Sequence, residues 1–464
     1  MSSELLEVLM CGTGEYTTGW TGSGGSQSDK KVGVVGLTMF DLRRRGKVGN
    51  LTMVGTSGGK FPQIRQHLKE KIGDVYGLDT SGRPGVSKTV ERNPVLTLRS
   101  HPIRFNGLPE GDVRDPEAYK TAIARLPKGS AVIIFTPDST HYPIAKLALE
   151  SGHHVMVTKP ATQLLEHHQE LSTLAAKKGL VCWVEHHKRY DPAYSDAKMR
   201  SANIGDFSFF TSYMSQPKSQ LETFRAWAGI DSDISYYLNS HHIDIHCWLV
   251  EGKFKPVKVT ASAATGIATS EPYNCVKQTE DTITLLVEWE SLTPEKRKGT
   301  AVYTASWTAP TKSGVHSEQF FHYMGSKGEI NVNQARRGYD VTVDGEGRTC
   351  YNPFYMKYSP AEDGSFDGQR GYGYLSFEKW IDAITKVNKG EAKPELYDEY
   401  GLPTIKNTYV IFPFIHHPDT LLIVFAILEY SILTTAIIRA GRISLDEKRS
   451  VNIAQDGNGE YKLE

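Results

Sequence analysis

The chain has 464 residues, 39% hydrophobic and 23% charged, with 53 Lys and Arg against 53 Asp and Glu, so it carries no formal net charge. At about 150 residues per domain, that length predicts two large domains or three smaller ones. Ample apolar content without a charge imbalance excludes a disordered chain. The lack of a basic excess excludes nucleic acid as the main partner and leaves a small molecule as the expected one.

The five cysteines, Cys11, Cys182, Cys247, Cys275 and Cys350, are odd in number, widely spaced and without a CxxC pair. Neither a disulfide framework nor a zinc module is indicated, and a reducing compartment fits. The first ten residues lack a basic segment followed by a long apolar one, so the expected location is cytoplasmic. One apolar stretch, 421–438, approaches the length of a membrane span, but Glu429 within it favours a buried core helix.

From residue 5 to 184, short β-rich runs alternate with amphipathic stretches. The predicted strands are 5–10, 50–56, 94–98, 131–135, 154–158 and 180–184; the predicted helices are 31–45, 61–71, 116–126, 141–151 and 164–178. This βαβ rhythm predicts a doubly wound parallel sheet of Rossmann type. Beyond residue 185 one helix, 193–201, precedes long strands at 257–263, 282–289, 301–308 and 320–324, spaced by turns. The fold class is therefore α/β: an N-terminal Rossmann domain over 1–185, and over 186–464 an α+β domain with a large, mainly antiparallel open sheet. The segments 23–30 and 73–93 read as surface loops inserted into the first domain.

Directly after the first strand comes Gly12-Thr13-Gly14-Glu15-Tyr16-Thr17, which matches two of the three glycines of a GxGxxG turn. Such a turn lets backbone amides approach a pyrophosphate at a helix start. The second strand ends in Thr56-Ser57-Gly58-Gly59-Lys60, without the carboxylate that usually meets the ribose of NAD. Ser57 and Lys60 could hold a 2′-phosphate, so NADP is the expected cofactor and NAD the alternative.

The fourth strand runs into Thr136-Pro137-Asp138-Ser139-Thr140-His141, and the fifth into Lys159-Pro160. Farther on stand Arg189-Tyr190-Asp191-Pro192, then Ser240-His241-His242-Ile243-Asp244 followed by Trp248-Leu249, then Gly325-Ser326-Lys327-Gly328-Glu329-Ile330. In these motifs the chain resembles the Gfo/Idh/MocA oxidoreductase family, with insertions, from about residue 5 to 443. The resemblance implies that Gly12 to Thr17, Ser57, Lys60, Thr136, Pro137, His141, Lys159 and Pro160 serve the cofactor. It also implies that Lys159 contacts the nicotinamide ribose and the substrate, and that His241 acts as acid or base. The chemistry agrees, since hydride transfer to or from a carbinol requires a group that moves the hydroxyl proton near neutral pH.

Two positions depart from the family pattern: Thr158 replaces the Glu before Lys-Pro, and Tyr237 replaces an Asp four residues before the histidine. Tyr237, one helical turn from His241, could substitute as a catalytic donor or could be core packing. Arg225 and Trp227 lie in a region that approaches the substrate in the family. Arg offers a bidentate partner for a carboxylate, and Trp a stacking face for a sugar. Lys188, Arg189 and His242 complete the expected substrate contacts. His242 and His246 have a chelating spacing, but no third ligand is indicated, so no metal is expected.

The resulting expectation is an NAD(P)-dependent oxidoreductase acting on a sugar or sugar acid, similar to the fungal branch described as D-galacturonate reductase. The alternatives are an NAD-dependent glycosidase of the same family and a catalytically silent cofactor-binding protein. Alternation in 282–289 and 301–307 makes one face of the second sheet apolar and the other mixed rather than charged, as a second buried surface requires, so a homodimer or homotetramer paired through that sheet is expected.

Overall fold

The computed structural model describes residues 5–80, 105–394 and 430–464, apart from 22–23, 27–29, 312–313, 316, 339, 346, 351 and 458. The first sheet has six parallel strands: β1 Leu6–Cys11, β2 Val48–Val54, β3 Phe105–Leu108, β4 Ala131–Ile134, β5 His154–Thr158 and β6 Cys182–Glu185. Their order across the sheet is β3-β2-β1-β4-β5-β6, as the alternation predicts for a Rossmann domain. The strands are apolar along both faces because helices cover both. Val8 and Met10 face one core together with Phe40 and Trp183, whereas Leu9, Val155 and Val157 face the other. The predicted strand 94–98 lies outside the described residues, and the described third strand is Phe105–Leu108. The segment predicted as a loop from 73 begins in helix, with the π-turn Lys69–Gly73 and the short helix Asp74–Tyr76.

The helix after β1 is split. A first turn, Glu15–Thr18, ends at Gly19, and the chain resumes as Val34–Arg44. This accounts for Thr17 at the third position of the glycine pattern. A Cβ at Gly33 or Gly36 would lie 2.6 or 2.8 Å from the Thr17 carbonyl oxygen, so the close approach is permitted by glycines on the returning helix instead.

The second sheet has eight strands. Six are β7 Phe207–Pro217, β8 Phe254–Ala264, β9 Thr282–Ser291, β10 Lys298–Ala309, β11 Glu318–Gly325 and β12 Gly328–Asn333, and the others are Val451–Gln455 and Tyr461–Leu463. All neighbouring pairs are antiparallel except β7 with β10. One face packs on the helices Ser240–Leu249 and Tyr430–Glu447, whose Ile243, Ile437 and Ile438 meet Ile283, Leu285 and Trp289. The residues of 421–438 that are described, from 430 onward, form part of that buried helix, with Ile432, Leu433 and Ala436 in the core. Among the described residues no helix is long and apolar enough to cross a membrane. The other face of the sheet stays open, with Leu286 46%, Phe320 39% and Met324 40% exposed.

The predicted boundary at 185/186 does not cut the structure cleanly. Helix Tyr372–Asn388 places Tyr374, Phe377, Trp380 and Ile384 in the core of the first domain, so the chain returns to that domain after building most of the second. An amphipathic helix does not reveal from its own pattern which core its apolar stripe will find.

Candidate active site

A cavity of about 1460 Å³ opens at the carboxyl edge of the first sheet, where the loops after β1 and β4 diverge, and its far wall is the second sheet. The near wall is mostly backbone. Gly12 sits at φ +104°, and a Cβ there would lie 1.9 Å from the Phe135 carbonyl oxygen, so the β1 and β4 ends touch only because this residue has no side chain. Gly14 caps the Glu15–Thr18 turn, and a Cβ on it would meet nothing within 4 Å, which leaves open space in front of the turn. Thr17 is buried, and its hydroxyl has no hydrogen-bond partner among the described residues. Tyr16 stacks on Phe135 at 4.9 Å and accepts a 2.6 Å hydrogen bond from Tyr355 of the second domain. A glycine-cleared cradle with an orphaned hydroxyl beside it fits the pyrophosphate half of a dinucleotide.

Thr13, Glu15, Thr136, Pro137, Lys159 and Pro160 line the same cavity, as does Lys60. Two predicted cofactor residues do not. Ser57 bridges to Arg114, away from the cavity wall. His141 is fully buried, with ring nitrogens 2.9 Å from the carbonyls of Thr136 and Pro160. It therefore pins the loops after β4 and β5 together and positions their residues without touching the cavity. Lys30 and Lys31 of the insertion after Gly19 also line the cavity. Sequence reasoning passed over them because their segment is polar and glycine-rich, with no periodicity to place it.

Lys159, His241 and Tyr237 come together from two domains. The Lys159 ammonium stands over the Tyr237 ring, 4.3 Å from its centroid, and donates to the Tyr237 carbonyl. The Tyr237 ring packs against Phe224, Trp227 and Trp307. Tyr237 thus supplies a face and a carbonyl to hold the lysine. His241 lines the cavity with its Nδ1 unpartnered among the described residues, its ring 5.2 Å from that of His187. His187 also lines the cavity, stacks on Tyr372 and bonds Glu185 at 2.8 Å.

Burial lowers the Lys159 ammonium to about 8 against the opposing pull of Asp138 and Glu185. Burial, and then the charges of Lys159 and Lys188, hold His241 well below the usual histidine range. Burial lowers Lys188 to about 7, with Arg337 and Lys159 adding to the effect and Asp191 and Glu185 opposing it. At neutral pH the cavity therefore presents a neutral imidazole and two lysines that exchange protons near neutrality, as acid–base chemistry requires.

Of the predicted substrate residues, Lys188 and Trp227 line the cavity and three others do not. Arg189 is buried in a two-pronged ion pair with Asp244, at 2.9 and 2.6 Å. His242 is buried, 3.0 Å from the Tyr194 hydroxyl and edge-on to Phe321. Both belong to the scaffold of helix Ser240–Leu249. Arg225 is exposed on the surface. Its neighbours Thr223, Phe224 and Trp227 line the cavity, and Arg225, which follows the short helix Leu221–Phe224, does not. Among the described residues no group of three or more His, Cys, Asp or Glu could hold a metal ion.

The second sheet adds residues that the sequence reading missed: Gln216 near the end of β7, Ser317 and Gln319 at the start of β11, and Gln334 after β12. Along β11 the inward row reads Tyr323, Phe321, Gln319 and Ser317, changing from aromatic to polar towards the cavity. That change is a readable signal once the inward face is known.

The parallel sheet, its glycine turn and the facing sheet wall define a two-domain dinucleotide-binding protein. Residues 112–186 match the family described as oxidoreductases with an NAD-binding Rossmann fold, and residues 196–331 match the GFO/IDH/MocA C-terminal domain. The chain thus carries both a Gfo/Idh/MocA-type NAD-binding Rossmann domain and a Gfo/Idh/MocA-type C-terminal domain.

Over 220 residues it is 27% identical to the scyllo-inositol 2-dehydrogenase (NAD(+)) of Bacillus subtilis (strain 168), covering 47% of this chain and 59% of that protein. Over 147 residues it is 29% identical to a UDP-N-acetylglucosamine 3-dehydrogenase of Acidithiobacillus ferrooxidans, covering 32% and 44%. Over 121 residues it is 36% identical to the uncharacterized oxidoreductase YdgJ of Escherichia coli (strain K12), covering 25% and 35%. The chain thus spans between about a third and three fifths of the length of these relatives. The fold is shared with scyllo-inositol dehydrogenase from Lactobacillus casei, solved with bound NAD(H) and scyllo-inositol. That likeness has a TM-score of 0.56 at 14% identity and covers 97% of this chain and 99% of that one.

Proposed function

We propose that the protein is an NAD(P)-dependent oxidoreductase that interconverts a carbonyl and a hydroxyl on a sugar or sugar acid, with D-galacturonate reduction as the finer candidate. The observation that carries this reading is the convergence of Lys159 and His241 on the cavity that the Gly12–Thr17 turn also lines. The names of the relatives, dehydrogenases of inositol and of a nucleotide sugar, support a polyhydroxylated substrate.

The bound dinucleotide supplies the hydride chemistry. Gly12, Gly14 and the first turn would hold its pyrophosphate, and Thr136 and Pro137 its middle. Lys60, Lys30 and Lys31 make a cationic rim for a 2′-phosphate, so NADP is the preferred form. Lys159 would hold or release a proton at the reacting oxygen. His241, kept neutral by its burial and then by the lysines around it, would accept or return that proton, and Tyr237 would fix the lysine in place. The second copy expected of this chain would pair across the open sheet face, where Leu286, Phe320 and Met324 are exposed. A species of only 51.6 kDa by light scattering at micromolar concentration would overturn that pairing.

The reading is tested by a cofactor-absorbance screen of uronates, aldoses and inositols with NADP and NAD. Net oxidation or reduction with one of these classes supports it. Release of an aglycone from a glycoside without net cofactor change would replace it with the glycosidase reading.

A further inference from the structure

The turn His187–Tyr190, directly after β6, gives the cavity a buried cation that faces the second sheet and has no ion-pair partner among the described residues. Lys188 is 3% exposed, yet its ammonium donates only to neutral oxygens, Gln319 Oε1 and Gln334 Oε1. An ammonium has three N–H donors, so one remains. The nearby carboxylates are already engaged. Asp191 is held by Arg337 and by the backbone amide of Ala193, and Glu185 by Ser376 and His187. The remaining charged or titratable neighbours, Lys159, His241 and His242, supply no anion, and Tyr194 presents only its ring, 5.4 Å away.

Lys188 also fixes the amide of Gln319. With Oε1 turned to the lysine, Nε2 is left as a donor without a partner among the described residues. Two more polar atoms on this wall are buried and have no partner among the described residues, Gln216 Oε1 and Ser317 Oγ. Buried polar atoms left unsatisfied cost stability, and their clustering on one cavity wall calls for a ligand that satisfies them together.

We propose that Lys188 and the Gln319 amide bind a carboxylate of the substrate, while Gln216 and Ser317 bind its hydroxyls, so that the site selects polyhydroxy acids over neutral sugars. This rests on the oxidoreductase reading for the position of the reacting carbon, but not for the preference itself. A lone buried ammonium gains most from an anion that replaces its lost hydration.

The test is binding, followed by quenching of tryptophan fluorescence in the purified full chain with NADP present, with galacturonate and galactose as the paired probes. The acid is expected to bind at least tenfold more tightly, and Lys188→Met to remove that preference by weakening galacturonate at least tenfold more than it weakens galactose. Lys188→Arg should keep part of the preference, which separates loss of charge from loss of fold. Gln216→Leu should weaken both probes about equally. Equal Kd values in the native protein, or a preference that survives Lys188→Met, would overturn the proposal. Tighter binding of galactose 6-phosphate than of galacturonate would overturn the carboxylate as the anion. A preference for the acid without turnover of either probe would leave this subsite standing and remove the redox assignment; turnover without the preference would do the reverse.

Discussion

The two walls of the cavity are built by opposite means. The nucleotide wall is backbone: Gly12 and Gly14 keep side chains away, and His141 clamps the loops after β4 and β5 from behind. The opposite wall is side chain: Gln216, Ser317 and Gln319 from the second sheet, Lys188 from the turn after β6 and His241 from helix Ser240–Leu249 line the same space, several with polar atoms unsatisfied among the described residues. A backbone wall serves one invariant ligand and is damaged by adding atoms, whereas a side-chain wall sets selectivity and is altered by exchanging them. Substitutions on the two walls should therefore fail differently, the first in stability and cofactor affinity and the second in turnover or substrate choice.

The largest effect is expected at Lys159, where the two walls meet. Lys159→Ala should reduce turnover by about 10²- to 10⁴-fold, the usual contribution of a positioned acid or base, with little change in melting temperature. Because the native Lys159 titrates near 8, oxidation of the alcohol, which needs the neutral amine, should speed up as pH rises through about 8, and reduction should slow over the same range. A parallel fall in melting temperature, or pH profiles unaltered by the substitution, would assign Lys159 a structural role.

Gly12→Ala tests the backbone wall. The added carbon would overlap the Phe135 carbonyl at a positive φ, so unfolding measured by denaturant should show a loss of about 3 kcal/mol together with weakened cofactor binding. A stable variant with native cofactor affinity would show that the loops after β1 and β4 yield easily.

Lys188 tests the side-chain wall through linkage. Its folded value, about 7, lies below the unfolded value of about 10.4. The unfolded chain therefore binds more protons between those limits, and stability rises with pH there. The cost of burying the cation is complete below about pH 7 and is gone above about pH 10.4. Melting temperatures taken at pH 6.5 and pH 9.5 should show the native protein gaining roughly 4 °C relative to Lys188→Met. A constant difference between the two would mean that Lys188 is not desolvated.

The smallest effect is expected on the cofactor rim. Lys60→Glu should weaken NADP about tenfold, the scale of one exposed charge contact with phosphate, while changing NAD less. Equal dissociation constants for NADP and NAD in the native protein would sink the NADP preference.

The sequence by itself determined the parallel sheet, because strands buried on both faces must be continuously apolar, and this pattern is local to each strand. It also determined the nucleotide turn, since Gly12 and Gly14 act through backbone conformation, and it singled out Lys159 and His241 through motifs of neighbouring residues. What it left open depends on contacts between distant segments. Arg189 looked like a substrate residue until the fold placed Asp244 against it, and His242 until the tertiary structure turned it toward Tyr194. Ser57 and His141 sit in the right loops but face away from the cavity, because a motif fixes where a residue lies along the chain and not which way its side chain points. Most of the substrate wall was decided by tertiary structure. The motif after β6 pointed to Lys188, but Gln216, Gln319 and Gln334 meet it only through the register of β7, β11 and β12, and Gln334 stands 146 positions from Lys188. Such pairing depends on the free energy of the whole sheet, which no local run of residues encodes.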